Sequence, residues 1–521
     1  MRRYLSFWVS LSAMICTATI AVAEVTLPTI IGDHMVLQRD VPLPIWGWAA
    51  VGETVTVKIA GQTMTSKAGE DGRWQVTLKP LSVGDPLTMT VSCPDKTITV
   101  EDILVGEVWL CSGQSNMQWA VAQVNSPDLE LAAANYPEIR LITNEIEGTQ
   151  LPLDDFEGGW QACNSQTASG FSAVGYFFGR RLHQVLGCPI GLIDNAWGGS
   201  SCEAWIRRDL MSDEGMYGPL MQRWAATEEE HLAKEDQQKY ETELSAWHEA
   251  RDAAHKAGKP APARPRPPQS PLSQQHRPGN LYNARILPLV PFAIRGAIWY
   301  QGESNAGRAY QYRDMFPLMI QNWRDTWQQG EFPFYWVQLA DFKAESAEPG
   351  ESDWAELREA QTMTLNKLKQ TGEAVIIDIG EGKDIHPRNK QDVGDRLARW
   401  ALAGPYGKSS IQSQSPTFKS MEAKDGKVVV TFDHVGGGLS TFDVNETRGF
   451  AIAGEDHKWV SANGKVVGRD QVELSAEGVT KAVAVRYAWA DNPVCNLFSR
   501  EGLPATPFRS DDWPGVTADA R

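Results

Sequence analysis

Two short stretches hold the residues best suited to chemistry. In Gly106–Met117 an apolar run enters Gly113, and Ser115 follows at a turn into a helix. A serine there presents its hydroxyl and its own backbone N–H to one substrate atom, which suits a nucleophile that also builds part of an oxyanion hole. The same position is where an ordinary helix N-cap serine stands. In Gly380–Pro387 a buried run, Val375–Ile379, leads to Asp384 and His386 just ahead of another helix. A carboxylate near a histidine holds the imidazole in one tautomer and stabilises its cation while the ring takes a serine proton. The plainer alternative is a capping aspartate beside a structural histidine.

Two further loops offer oxyanion donors. Asn195–Ser201 contains Gly198 and Gly199, and paired glycines let backbone N–H groups come close to a ligand. Trp299–Ala306 offers the side chains of Gln301, Glu303, Ser304 and Asn305. Glu303 could contact a sugar or serve as a structural acceptor. Cys111, inside an apolar strand, is expected to be a buried, inert thiol.

The elements that must position these residues read as an α/β domain over 101–404. Gly191–Ile193, Ala297–Tyr300, Tyr335–Val337 and Ala374–Ile377 are continuous apolar runs, as buried parallel strands are. Helical stretches alternate with them at Ala173–Val185, Tyr310–Trp327, Trp354–Leu368 and Lys390–Ala403. Functional residues then gather in loops at the carboxyl edge of the sheet. Residues 24–100 alternate in the manner of a small antiparallel β-sandwich, and 410–521 form a second β-rich module. An insertion at 225–280 combines a charged helical stretch, Glu228–His255, with an arm, Lys259–Gly279, that holds seven prolines. It is expected to be solvated decoration, with no metal site among its glutamates.

The chain has 521 residues, 42% hydrophobic and 22% charged, which excludes a mostly disordered polymer. Its net charge of −16 repels phosphate backbones and argues against general nucleic-acid binding. Residues 1–23 read as a secretory signal: Arg2 and Arg3, then an apolar stretch, then Ala21-Val22-Ala23. No later stretch is apolar over a membrane-spanning length. An exported protein, periplasmic or extracellular, is therefore expected. The mature chain would keep six cysteines with no CxxC pair, and their spacing selects no disulfide pairing. The 20 tryptophans suit stacking on sugars but equally suit core packing.

In chain order the serine, glycine, asparagine and histidine blocks resemble the SGNH (GDSL-like) hydrolases, and more specifically the sialate O-acetylesterase family of carbohydrate esterases. The carriers are Gly113-Gln114-Ser115-Asn116-Met117, Trp197-Gly198-Gly199-Ser200, Trp299 to Asn305 and Asp384 to Lys390. Gly32 to Gln38 and Arg486-Tyr487-Ala488-Trp489 extend the likeness over nearly the whole mature chain. The resemblance implies a flavodoxin-like three-layer domain and a serine hydrolase that removes O-acetyl groups from sugars with no metal or other cofactor. Ser115, His386 and Asp384 would be catalytic. The N–H groups of Ser115 and Gly199 (or Gly198) and the amide of Asn305 would hold the oxyanion, with Gln301 as the rival amide. Many members place the aspartate three residues before the histidine, where this chain has Lys383. Acetylated sialic acid is the first substrate implied, and acetylated xylan or another glycan is the alternative. A carbohydrate-binding protein without activity is the reading from another class.

Overall fold

The computed structural model describes residues 24–211, 215–232, 239, 242–247, 249–250, 253, 270–424 and 426–521. The signal-like segment 1–23 and most of the proline-rich arm lie outside the described residues. Among those described, no helix is long and apolar enough to cross a membrane.

The central sheet is built on β1 (Thr97–Gly113), a strand of 17 residues. Around it lie β2 (Tyr136–Thr143), β3 (Gln161–Cys163), β4 (Ile190–Ala196), β5 (Gly296–Tyr300), β6 (Phe334–Val337) and β7 (Thr371–Ala374). Their order is β7-β6-β5-β1-β4-β2-β3, with every neighbouring pair parallel except β2 and β3. Alternation along β1 explains the layers. Val108 and Leu110 enter one core with Ala297, Trp299, Phe334 and Trp336, beneath α3 (Ala309–Trp327) and α4 (Asp353–Met363). Trp109 and Cys111 enter the opposite core with Leu192, Ile298 and Tyr300, beneath α2 (Ala173–Leu186) and α5 (Lys390–Ala403). Helices thus cover both faces of a mostly parallel sheet, as such sheets require.

Leaving out β2 and β3, which continue the sheet beyond β4, the strands run β4-β1-β5-β6-β7, the order 2-1-3-4-5 of a doubly-wound sheet. The switch point falls at β1, flanked by β4 and β5, so a crevice opens at the carboxyl ends of these three strands. The run Ala374–Ile377 is strand only up to Ala374, because Val375 and Ile377 leave the sheet to pack in the core of the C-terminal module.

In the front segment, Leu43–Trp48 pairs with Arg73–Leu78, and Thr54–Ile59 pairs with Gln62–Lys67 and Leu87–Ser92. Ile45, Val55, Val57, Trp74 and Val91 share one core between these two small antiparallel sheets. Leu87–Ser92 also pairs with the first half of β1, which continues past a bulge at Glu101–Asp102 into the central sheet. The C-terminal segment is β-rich, with five- and four-stranded sheets enclosing Val430, Phe432, Ile452, Val472 and Tyr487. The described part of the insertion includes a helix at Gly218–Leu232.

Candidate active site

The position of Ser115 follows from a close backbone approach. Gly113, last in β1, has φ of 137°, and a Cβ there would lie 2.2 Å from the Tyr300 carbonyl oxygen of β5. Any other residue would force the strands apart. The Gln114 N–H donates to that carbonyl at 2.9 Å, and the chain turns at once into α1 (Ser115–Gln118). Ser115 is the first residue of this short helix, so its own N–H has no intrahelical acceptor.

His386 Nε2 lies 2.8 Å from Ser115 Oγ, joining two residues far apart in the chain. Asp384 Oδ1 accepts the His386 backbone N–H at 2.9 Å and lies 3.5 Å from Nδ1. The carboxylate therefore shapes the loop first, and its contact with the ring is long. Trp119 stacks on the imidazole with centroids 4.9 Å apart and planes 12° from parallel. Burial and the nearby charge of Lys390 hold His386 below the usual imidazole value, while Asp384 pulls the other way. A neutral ring is the form that accepts a proton.

The loop after β4 lies alongside. Trp197 N–H and the Ser200 hydroxyl donate to the Gly113 carbonyl at 2.9 and 3.3 Å, fastening the loop to the end of β1. The Arg285 guanidinium covers the Trp197 ring at 4.5 Å and donates to the Ala196 carbonyl at 3.1 Å. A Cβ on Gly198 would lie 3.7 Å from Ser115 Cβ, which sets the loop against the nucleophile. Gly198 N–H is taken by Gln118 Oε1 at 3.0 Å. Gly199, at φ of 69°, has its carbonyl held by the Ser304 hydroxyl at 2.9 Å, and its N–H has no acceptor among the described residues. Ser115 and Gly199 thus carry backbone N–H groups with no acceptor among the described residues, on two loops that meet where Gly198 approaches Ser115.

The two amides expected there are built into the scaffold instead. Asn305 is 2% exposed; its nitrogen donates to Glu203 Oε2 at 2.8 Å, and its oxygen accepts from Cys202 N–H and Gln301 Nε2. Gln301 is fully buried, donating to the Ser200 carbonyl at 3.1 Å and accepting the Tyr312 hydroxyl at 2.9 Å. Both amides therefore shape the loops rather than face the nucleophile. Glu303 also turns inward: Oε1 accepts from Asn116 at 2.6 Å, Oε2 is buried with no partner among the described residues, and burial raises its pKa. Cys111 is buried, with its thiol pKa pushed well above the usual range.

Several neighbours escape a reading of motifs. Trp119 and Gln118 stand within four residues of Ser115, so a helix drawn from the serine onward would have found them. Gln275 Nε2 lies 3.5 Å from where a Gly199 Cβ would be, brought there by a segment whose carbonyls at Gln275 and His276 accept from Ser201. Nothing local in the sequence points to that contact.

The model of the family described as "Carbohydrate esterase, sialic acid-specific acetylesterase" matches residues 105–244 and 272–402. The gap between the two stretches falls in the insertion. The sialate O-acetylesterase of Rattus norvegicus is 30% identical over 92% of this chain and 93% of its own length, and that of Homo sapiens 29% identical over 93% of each. A crystal structure of a novel carbohydrate acetylesterase from Xanthomonas citri superposes with a TM-score of 0.78 at 37% identity, covering 94% of this chain and all of that one. The chain belongs to the sialic acid-specific acetylesterase family of carbohydrate esterases and is a carboxylic ester hydrolase.

Proposed function

We propose that the chain removes O-acetyl groups from carbohydrates by a serine acyl-enzyme mechanism. The observation that carries this reading is the 2.8 Å contact between His386 Nε2 and Ser115 Oγ at the carboxyl edge of the sheet. His386 takes the hydroxyl proton as Ser115 Oγ attacks the acetyl carbonyl. The Ser115 and Gly199 N–H groups receive the developing oxyanion. Collapse expels the sugar oxygen, which takes the proton from His386. Water, deprotonated by the same ring, then attacks the acetyl-serine ester and releases acetate. Asp384 stabilises the transient imidazolium from 3.5 Å. An intact nucleophile–base pair weighs against a binding protein without activity.

For the substrate, the relatives named as sialate O-acetylesterases favour O-acetylated sialic acid. The Xanthomonas citri structure is titled a carbohydrate acetylesterase and favours a second reading, acetylated xylan or another glycan. Acetate release from an O-acetyl sialic acid and from an acetylated xylan fragment separates the two. Ser115→Ala is expected to lose at least about 10³-fold in kcat on the preferred substrate. Undiminished turnover by that variant would overturn the mechanism.

A further inference from the structure

The nucleophile turn and the histidine loop meet through one buried amide. Asn116 Nδ2 donates to the Ile385 carbonyl at 3.0 Å and to Glu303 Oε1 at 2.6 Å, while its Oδ1 accepts from Lys390 Nζ at 2.5 Å. Two acceptors at the nitrogen and one donor at the oxygen fix the amide's orientation. Its oxygen faces an ammonium and its nitrogen a carboxylate, the alignment that a bridged ion pair selects.

Lys390 is fully buried and is the first residue of α5, with its ammonium 5.1 Å from the centre of the Tyr300 ring. A cation at a helix N-terminus opposes the helix dipole, and a buried cation loses its hydration. Both costs make it a poor device for stability, whereas its place beside Ser115 and His386 is where a fixed contact matters to chemistry. We propose that Lys390 is a positioning residue of the esterase, acting through Asn116 to clamp the Ser115 turn to the Ile385–His386 segment and placing a positive charge behind the imidazole. This rests on the Ser115–His386 mechanism proposed above.

The electrostatics agree in sign. Burial first, then Lys390, lower the pKa of His386, and Asp384 opposes them. Burial brings Lys390 itself down to about 7, against the pull of Glu303, Asp384 and Glu381. The remaining charged groups of the loop, Lys383 and Arg388, are exposed. The Coulomb contribution of Lys390 to this lowering is the part that removing its ammonium abolishes.

The test uses the full chain with 4-nitrophenyl acetate and with an acetylated sugar. Lys390→Met and Asn116→Ala are each expected to lower kcat roughly 10–100-fold with KM little changed, as a misplaced catalytic pair would. The double variant is expected to be no slower than the slower single one, because the two act as one unit. Lys390→Met should also move the acid limb of kcat/KM up by about half a pH unit or more, since a cation beside His386 is gone. Multiplicative losses, or an acid limb that stays in place, would overturn the proposal. Should Lys390→Met fail to fold by circular dichroism, full kcat in Asn116→Ala overturns it alone. Activity surviving in Ser115→Ala would instead sink the mechanism on which the proposal rests.

Discussion

In the proposed mechanism Ser115 is activated only while His386 is neutral, so the pH profile tests the imidazole directly. Activity should fall as pH drops through a value below about 6.5, the usual imidazole pKa. Asp384 is the one group that raises this value, so Asp384→Asn should shift the acid limb further down. With its oxygen 3.5 Å from Nδ1 and also held by the His386 backbone, the same change should cost roughly 10–100-fold in kcat rather than the full loss of a tightly bonded triad acid. A pH series of kcat/KM for the two proteins checks both statements. At this scale the sequence was informative about reacting groups and poor about their supports. Ser115 follows directly on the end of β1, a setting the local sequence shows, whereas His386 lies well past the end of β7 in an irregular loop that the apolar run Val375–Ile379 does not place. Trp119 is within reach of a helix drawn from Ser115, but the hydrogen bonds of Asn116 with Ile385, Glu303 and Lys390 join segments far apart in the chain, which no local pattern encodes. Gln301 and Asn305 illustrate the converse, since an amide's residue type does not say which way it points.

Among the elements, α4 joins three parts of the fold. Gln361 donates to the carbonyls of Gln301 and Val337, and Arg358 donates to those of Leu339, Ala340, Ala490 and Asp491. One helix thus holds the Gln301 loop, β6 and the C-terminal module together. Its Thr362 also reaches Glu373 of β7, whose other oxygen accepts Trp336 Nε1 from β6 at 3.0 Å. Burial raises Glu373 to about 7 despite these bonds. The folded chain then keeps a proton that the unfolded chain releases above about pH 4.3. Stability contributed by this group is present at low pH and is lost as pH rises toward 7. Glu373→Gln should therefore raise Tm more at pH 8 than at pH 5, by an amount on the order of 2–3 kcal/mol in stability. Thermal melts at the two pH values decide it. Helices such as Ala173–Leu186 and Lys390–Ala403 were legible from periodicity, and the buried strands from their apolar runs. The addition of β2 and β3 beyond β4 was not, because the order of strands is set by long connections rather than by anything within a strand.

Across the whole molecule, the two β-rich segments are fastened to the hydrolase domain by buried polar contacts. The chain end returns over α4, where Thr517 N–H and its hydroxyl, together with Val516 N–H, donate to the carboxylate of Glu356. Gly515 permits the approach, since a Cβ there would lie 2.3 Å from Glu356 Oε1. Thr517→Val leaves that fully buried carboxylate one donor short, at a cost of about 1–3 kcal/mol. A lower Tm with unchanged kcat at 25 °C is the expected result. At the other end, the front module and the catalytic sheet share a single strand. β1 takes part in an antiparallel ladder with Leu87–Ser92 and then in parallel ladders with β4 and β5, with no intervening linker. A hinge needs backbone free to rotate, and the bulge at the junction, where Asp102 has φ of 54°, is tied down: Asp33 accepts the Glu101 N–H, and the Asp102 carboxylate is held by Arg140 and His34. The front module therefore acts as an extension of the beam that ends at Ser115. A disturbance far out on it, such as a slipped register against Leu87–Ser92, would be carried along the strand to the nucleophile instead of being absorbed between domains.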